Sequence, residues 1–275
     1  MPSNEISDQT FPDRLAAAVE AGHVVPWFQP VMDTDGIALL SAEAFPRWDD
    51  PVAGVIPAGA FITQAIRTDT LAVVSGALHA RAFAALAEWR ARGLAPRRMS
   101  FNLTGDELCS GAVLDRMLWA LDHAQVSPRE IAVEVTEDVL HGARAGVAAT
   151  ALGRLKGLGV EVCLDDFGAG PCDPAVLDRV GFATAKVAMA IVGRLGEDDA
   201  AEQRLQDLAR LAQSRGVSII AKGVETRIQI DLLTEVGCDG QQGFAIARPM
   251  PEDSFVEWLD LNTWPSEVFV QGASA

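Results

Sequence analysis

Val160-Glu161-Val162-Cys163-Leu164-Asp165-Asp166-Phe167-Gly168-Ala169-Gly170 runs from β-branched and apolar residues into two adjacent carboxylates and then a glycine-bearing turn. The pattern predicts a buried strand that ends in charge. Two like charges at the mouth of an apolar strand raise each other's pKa unless a cation lies between them, so stability alone does not call for the pair. It points instead to a divalent metal site for Mg²⁺ or Mn²⁺, since hard cations take oxygen ligands. An isolated Asp-Asp fits equally well as a helix N-cap followed by a solvated acid.

Working outward, 275 residues with 49% hydrophobic content suffice for one large core, either a single α/β barrel or two smaller domains. Lys+Arg 22 against Asp+Glu 38 gives a formal charge of -16. That excess argues against a nucleic-acid polymer as partner, because such binding rests on phosphate neutralisation, but it leaves room for a small phosphate ester. The first ten residues, MPSNEISDQT, show no basic and apolar leader pattern. Apolar runs such as Ile37 to Leu40 fall far short of the about 18 residues of a membrane span, so a cytoplasmic protein is expected. Cys109, Cys163, Cys172 and Cys238 form no CxxC pair and read as reduced packing thiols; the four histidines show no metal-ligand spacing.

Helical spacing appears at Phe11, Leu15 and Val19, before a predicted hairpin of Val24 to Met32 and Ile37 to Trp48 around Asp33-Thr34-Asp35-Gly36. Two helices follow, over about residues 57–67 and 71–92. Strands then alternate with helices: 98–103, 131–135, 160–165, 184–187, 217–221 and 240–244, with helices over about 105–124, 138–157, 174–180, 189–215, 226–236 and 252–260. With the hairpin this makes eight strands and no internal repeat. The expectation is one domain, residues 11–260, folded as an α/β, (β/α)8 TIM-like barrel with an irregular N-terminal hairpin, between tails 1–10 and 261–275.

Near the carboxyl ends of these strands fall Gln29, Glu43, Asn102, Glu134, Asp165 with Asp166, Lys186, Lys222 and Gln242. Any one alone reads as a satisfied polar group at a strand terminus. Their convergence on the face where such barrels build their sites favours the metal reading of Asp165-Asp166.

These residues carry a family resemblance. Trp27-Phe28-Gln29-Pro30, Ala42-Glu43-Ala44-Phe45-Pro46-Arg47-Trp48, Phe101-Asn102-Leu103, Glu134-Val135-Thr136-Glu137, Cys163 to Gly170, Lys186, Ala221 to Thr226, Gln242-Gly243-Phe244 and Pro249-Met250-Pro251 stand in the order of the EAL domain's motifs. The chain resembles that domain from about Phe11 to Leu259; active members hydrolyse cyclic di-GMP. The resemblance implies that Glu43, Asn102, Glu134 and Asp165 hold a first metal and Asp166 a second, with Gln29, Arg47, Asn102, Lys222, Glu225 and Gln242 along the nucleotide. It also implies that Glu137 braces the loop after Asp166, a loop linked to dimerisation in the family. A homodimer is therefore an open expectation.

Departures from the family pattern bear on the chemistry. Lys222 stands where active members have the glutamate that acts as general base, whereas Lys186 is retained. An ammonium cannot take a proton from water. Facing a divalent ion at about 5 Å with an effective dielectric near 20, it also adds about 6–7 kcal/mol of repulsion before screening. Lys186-Val187-Ala188 lacks the family's carboxylate, Phe45-Pro46 replaces two aliphatic residues, Ala169 to Asp173 replaces a polar loop, and Ser75 stands near a position that reads guanine in many members.

The expectation is a catalytically inactive regulatory module that binds cyclic di-GMP and acts through a regulatory protein partner, with Mg²⁺ or Mn²⁺ weakened. The alternatives are a protein-interaction adaptor without nucleotide, its surface near Pro171, Cys172, Pro174 and Val176, and a weak phosphodiesterase. With about ten residues before the first helix and about fifteen after the last, no attached sensor or output domain is expected.

Overall fold

The computed structural model describes residues 11–170 and 174–262. Helix α1 (Phe11–Glu20) precedes a hairpin of β1 (Val24–Asp33) and β2 (Leu39–Asp50), to which β3 (Gly54–Pro57) adds a short third strand. The Asp33 carboxylate sets the hairpin turn by accepting from Ile37 N at 2.7 Å and Ala38 N at 3.0 Å. Helices α2 (Ala58–Arg67) and α3 (Leu71–Ala91) lead into β4 (Met99–Asn102), β5 (Ile131–Thr136), β6 (Glu161–Phe167), β7 (Thr184–Val187), β8 (Ser218–Lys222) and β9 (Gly240–Gln242). The connections are α4 (Gly105–Cys109), α5 (Gly111–His123), α6 (Ala145–Gly157), α7 (Pro174–Val180), α8 (Met189–Val192), α9 (Asp199–Gln213) and α10 (Arg227–Val236); β10 (Met250–Pro251) and α11 (Glu252–Leu261) follow.

β1 pairs antiparallel with both β2 and β9, and the pairings from β2 through β4 to β9 are parallel. The sheet therefore closes into the expected barrel of eight strands, with one inverted strand supplied by the hairpin and with β3 and β10 attached outside the ring. The main core lies between strands and helices, where Phe28, Trp89 and Phe255 pack ring against ring. A second cluster of Phe11, Leu15, Val24, Trp48, Phe61 and Val74 holds α1 and α2 on the far end of the hairpin.

Three expected helices are divided. Residues 105–124 break at Ser110, whose extended backbone ends α4 and begins α5. Residues 138–157 start as a 3₁₀ turn, Glu137–Leu140, before α6, and 189–215 separate into α8 and α9, the latter capped by Asp198. β9 stops at Gln242 rather than Phe244, because Gly243 lies against the Val224 backbone. β6 instead runs on through both aspartates to Phe167. One helix, α3, 21 residues long, is apolar and long enough to cross a bilayer by length and composition alone. Here its Leu78, Phe83, Leu86 and Trp89 are buried in the barrel core.

Below the site a cavity of about 420 Å³ is lined by Ser100, Ala132, Cys163, Thr184 and Ser218 together with the longer Arg98, Glu134, Glu161 and Lys186. Cys109, Cys163 and Cys238 are free thiols, and burial pushes Cys238 up to about 12. Cys172, Pro171 and the two tails lie outside the described residues, apart from Leu261 and Asn262.

Candidate functional site

One polar layer crosses the barrel at the carboxyl ends of its parallel strands. Lys186 of β7, 1% exposed, donates to Glu43 Oε2 of β2 at 2.8 Å and also to Glu134 Oε1 of β5. Gln242 Nε2 of β9 donates to Glu43 Oε2 at 2.9 Å and to Gln29 Oε1 of β1 at 3.2 Å, while Asn102 Nδ2 of β4 donates to Glu43 Oε1 at 2.7 Å. The antiparallel register that sets Gln29 opposite Glu43 is what brings β1 into this layer. Burial opposes the Lys186 charge, but Glu134 and Glu43 hold its pKa well above the ordinary lysine value. Burial and the Glu43 charge push Glu134 up to about 7. Burial also works against ionisation of Glu43, yet Lys186 and Lys222 keep its pKa below the usual carboxylate value.

The second cluster sits beside it. β6 carries a register irregularity between Leu164 and Phe167, and Asp166 within it has φ 49, a left-handed conformation that aspartate tolerates better than most residues. The bulge leaves Asp165 buried and Asp166 half exposed. Lys222, the last residue of β8, donates to Asp165 Oδ1 at 2.6 Å, Asp165 Oδ2 at 2.8 Å and Asp166 Oδ1 at 3.2 Å. Burial favours loss of its proton, but Asp165, Glu43 and Asp166 raise its pKa above the ordinary value. Asp165 takes the larger share of the Lys222 hydrogen bonds.

A cavity of about 360 Å³ opens above both clusters. Of the residues expected along the nucleotide, Gln29, Asn102, Lys222, Glu225 and Gln242 line it, together with Glu43 and Asp166. A capping box at the start of α10, in which Gln229 Oε1 also accepts from Glu225 N at 2.7 Å, fixes the segment carrying Glu225. Arg47 lies apart from these lining residues. It does not line the cavity but stacks over Trp27 at 5.3 Å and Phe45 at 5.9 Å, with Nη1 on Pro46 O, because the hairpin continues past the barrel rim. Glu134 borders the lower lumen instead, and Asp165 lies beneath Lys222.

Sequence reasoning missed Phe45, Met189 and Phe244 as lining residues, although Phe45 and Phe244 stand inside the quoted motifs. It also missed Gly223: with φ +76 and Met189 Cγ 2.3 Å from where a Cβ would stand, only glycine lets α8 close over the end of β8. Ser75 is not at the cavity; its hydroxyl donates to Glu107, which is why it is buried against α4. The Glu137 carboxylate does lie beside the loop after Asp166, with Oε2 3.7 Å from the Cβ position of Gly170.

The EAL domain family model matches residues 13–249. The chain belongs to the EAL family. It is 28% identical over 244 residues to the cyclic di-GMP phosphodiesterase RocR of Pseudomonas aeruginosa, covering 89% of this chain and 62% of that protein. The bifunctional diguanylate cyclase/cyclic di-GMP phosphodiesterase MucR of the same organism is 27% identical over 242 residues, covering 88% of this chain and 35% of that protein. The solved PaMucR phosphodiesterase in complex with c-di-GMP superposes with a TM-score of 0.84 at 27% identity, covering 90% of this chain and 99% of that one. The FimX EAL domain of Xanthomonas citri, solved with c-diGMP, shares the fold with a TM-score of 0.81 at 19% identity, over 89% of this chain and 94% of that one.

EAL domains typically use Mg²⁺ or Mn²⁺, and the metal set expected from the motifs was Glu43, Asn102, Glu134, Asp165 and Asp166. Their arrangement in this EAL chain does not fit a pair of ions. Both Asp165 oxygens hold Lys222, and the Glu43 oxygens are taken by Asn102, Lys186 and Gln242. Glu134 Oε2 is buried without a partner, but one orphaned oxygen beside an ammonium is not a coordination sphere. Among the described residues, no group of three or more His, Cys, Asp or Glu is arranged to hold a metal.

Proposed function

We propose that this EAL domain is a cyclic di-GMP receptor that does not hydrolyse its ligand and that acts in the cytoplasm through a protein partner. The observation that carries the reading is Lys222. At the position of the general base stands an ammonium whose proton is held by Asp165 and Asp166, so it can donate to a phosphodiester but cannot activate water. The ligand class is supported by the EAL membership, by the cavity lined by Gln29, Asn102, Glu225 and Gln242, and by relatives solved with c-di-GMP. The rim stack of Arg47 with Trp27 and Phe45 offers a flat cationic surface beside the cavity, suited to a base or a phosphate oxygen.

Calorimetry with intact cyclic di-GMP, alongside a hydrolysis assay in Mg²⁺ and in Mn²⁺, tests both halves. Heat of binding with no linear dinucleotide above a buffer control is expected. Robust hydrolysis would overturn the inactive half, and absence of any heat or thermal shift would leave the ligand-free adaptor. Of the adaptor surface named from sequence, Val176 is 1% exposed and so belongs to the core, not to a docking patch.

A further inference from the structure

The misfit between the carboxylates and a metal pair has a positive counterpart in this chain. Four carboxylates, Glu43, Glu134, Asp165 and Asp166, meet two ammonium groups, and each ammonium is shared by two carboxylates: Lys186 by Glu43 and Glu134, Lys222 by Asp165 and Asp166. With a glutamate at 222 the formal sum of the set would be five negative and one positive, or -4, which two divalent ions balance. With Lys222 the sum is four negative and two positive, or -2, and one of the two negative charges of Asp165 and Asp166 is already met from within the chain.

We propose that the Lys222 ammonium permanently fills the place of a divalent ion in this site, so that a phosphodiester binds here without metal. The proposal rests on the receptor reading above and adds to it the source of the positive charge that meets the ligand. Geometry supports it at three points. Lys222 contacts both Asp165 oxygens within 2.8 Å, a grip an incoming ion would have to break. Its side chain is 22% exposed and borders the cavity, so a phosphate oxygen entering from above meets Nζ directly. The other ammonium, Lys186, is buried and does not line that cavity, which leaves Lys222 as the cation facing the ligand among the cavity-lining residues.

Two titrations separate this inference from the receptor reading. Mn²⁺ alone, followed by calorimetry and by the loss of its free-ion resonance signal, probes the site with no nucleotide present. The wild-type chain is expected to bind no Mn²⁺ at the site, whereas Lys222→Glu, and more weakly the neutral Lys222→Met, gain one or two ions. Cyclic di-GMP is then titrated with EDTA or with Mg²⁺. The wild-type affinity is expected to agree within about twofold between the two conditions, and that of Lys222→Glu to fall about tenfold or more on chelation. Should Lys222→Glu misfold, Lys222→Met carries the metal arm by itself. Stoichiometric Mn²⁺ binding by the wild-type chain, loss of its nucleotide binding in EDTA, or failure of both folded variants to gain Mn²⁺ would each overturn the proposal. If cyclic di-GMP does not bind under any condition, the receptor reading falls, and the Mn²⁺ arm still decides whether Lys222 stands in for an ion.

Discussion

Lys186 and His79 show how far a single buried side chain is committed to its surroundings. Lys186 is fully enclosed, and its two carboxylate partners, Glu43 and Glu134, are at most 2% exposed. Truncation to Met leaves those carboxylates buried without their cation, which destabilises by about 3–5 kcal/mol. Urea unfolding of Lys186→Met should show a loss of that order; a change under about 1 kcal/mol would mean that the pair is readily solvated from the lower lumen. His79 lies on α3, stacked on Phe83 and edge-on to Phe101. Burial pushes its pKa down to about 4, from an ordinary value of 6.5. Between those two pH values the unfolded chain binds a proton that the folded chain refuses, so the stabilisation is fully present above pH 6.5 and is lost as pH falls toward 4. The difference amounts to about 3 kcal/mol. Unfolding free energies at pH 7 and pH 4.5 should therefore fall more for the wild-type chain than for His79→Leu, and equal slopes would refute the buried, neutral imidazole.

The elements that positioned the site were readable wherever hydrophobic periodicity was strong, and were missed where backbone contacts decided. Alternating apolar runs and helical stretches located all eight ring strands, and the hairpin's Asp-Thr-Asp-Gly turn exposed the inverted first strand. The divided helices were not readable, because Ser110 acts as the C-cap of one helix and the N-cap of the next, a double role that leaves the apolar pattern unbroken. The site residues were readable as types at strand ends, but their pairing was not: Lys222 takes both oxygens of Asp165, beside a bulge in β6 that no spacing announces. The inward turn after β9 is a similar case. A Cβ on Gly243 would stand 2.1 Å from Val224 O and 2.2 Å from Val224 N, so Gly243→Ala forces apart the segments that carry Gln242 and Glu225. Overpacking against backbone of this kind destabilises by about 1–3 kcal/mol. Thermal unfolding should record that loss, together with weaker nucleotide binding; an unchanged midpoint would show that the chain can yield here.

The charge of the whole molecule bears on how an anionic ligand reaches this site. The formal net charge is -16, and the cavity wall adds Glu43, Asp166 and Glu225 to a Lys222 already shared between two aspartates. Under the receptor proposal, a cyclic dinucleotide with two phosphodiester charges would approach against the mean field, and only within the last few ångströms would it meet the Lys222 ammonium and the Arg47 stack. Screening shortens the reach of the repulsion to about 10 Å at 0.1 M salt, while the close contact, partly buried, is screened much less. Association measured by stopped flow should thus speed up as NaCl rises from about 10 mM to about 150 mM, with the dissociation rate changing less. A basic site that steers its ligand would give the reverse dependence. Association that slows with added salt would show that the local cations outweigh the acidic surface at long range, and would shift the basis of recognition from close contact to electrostatic capture.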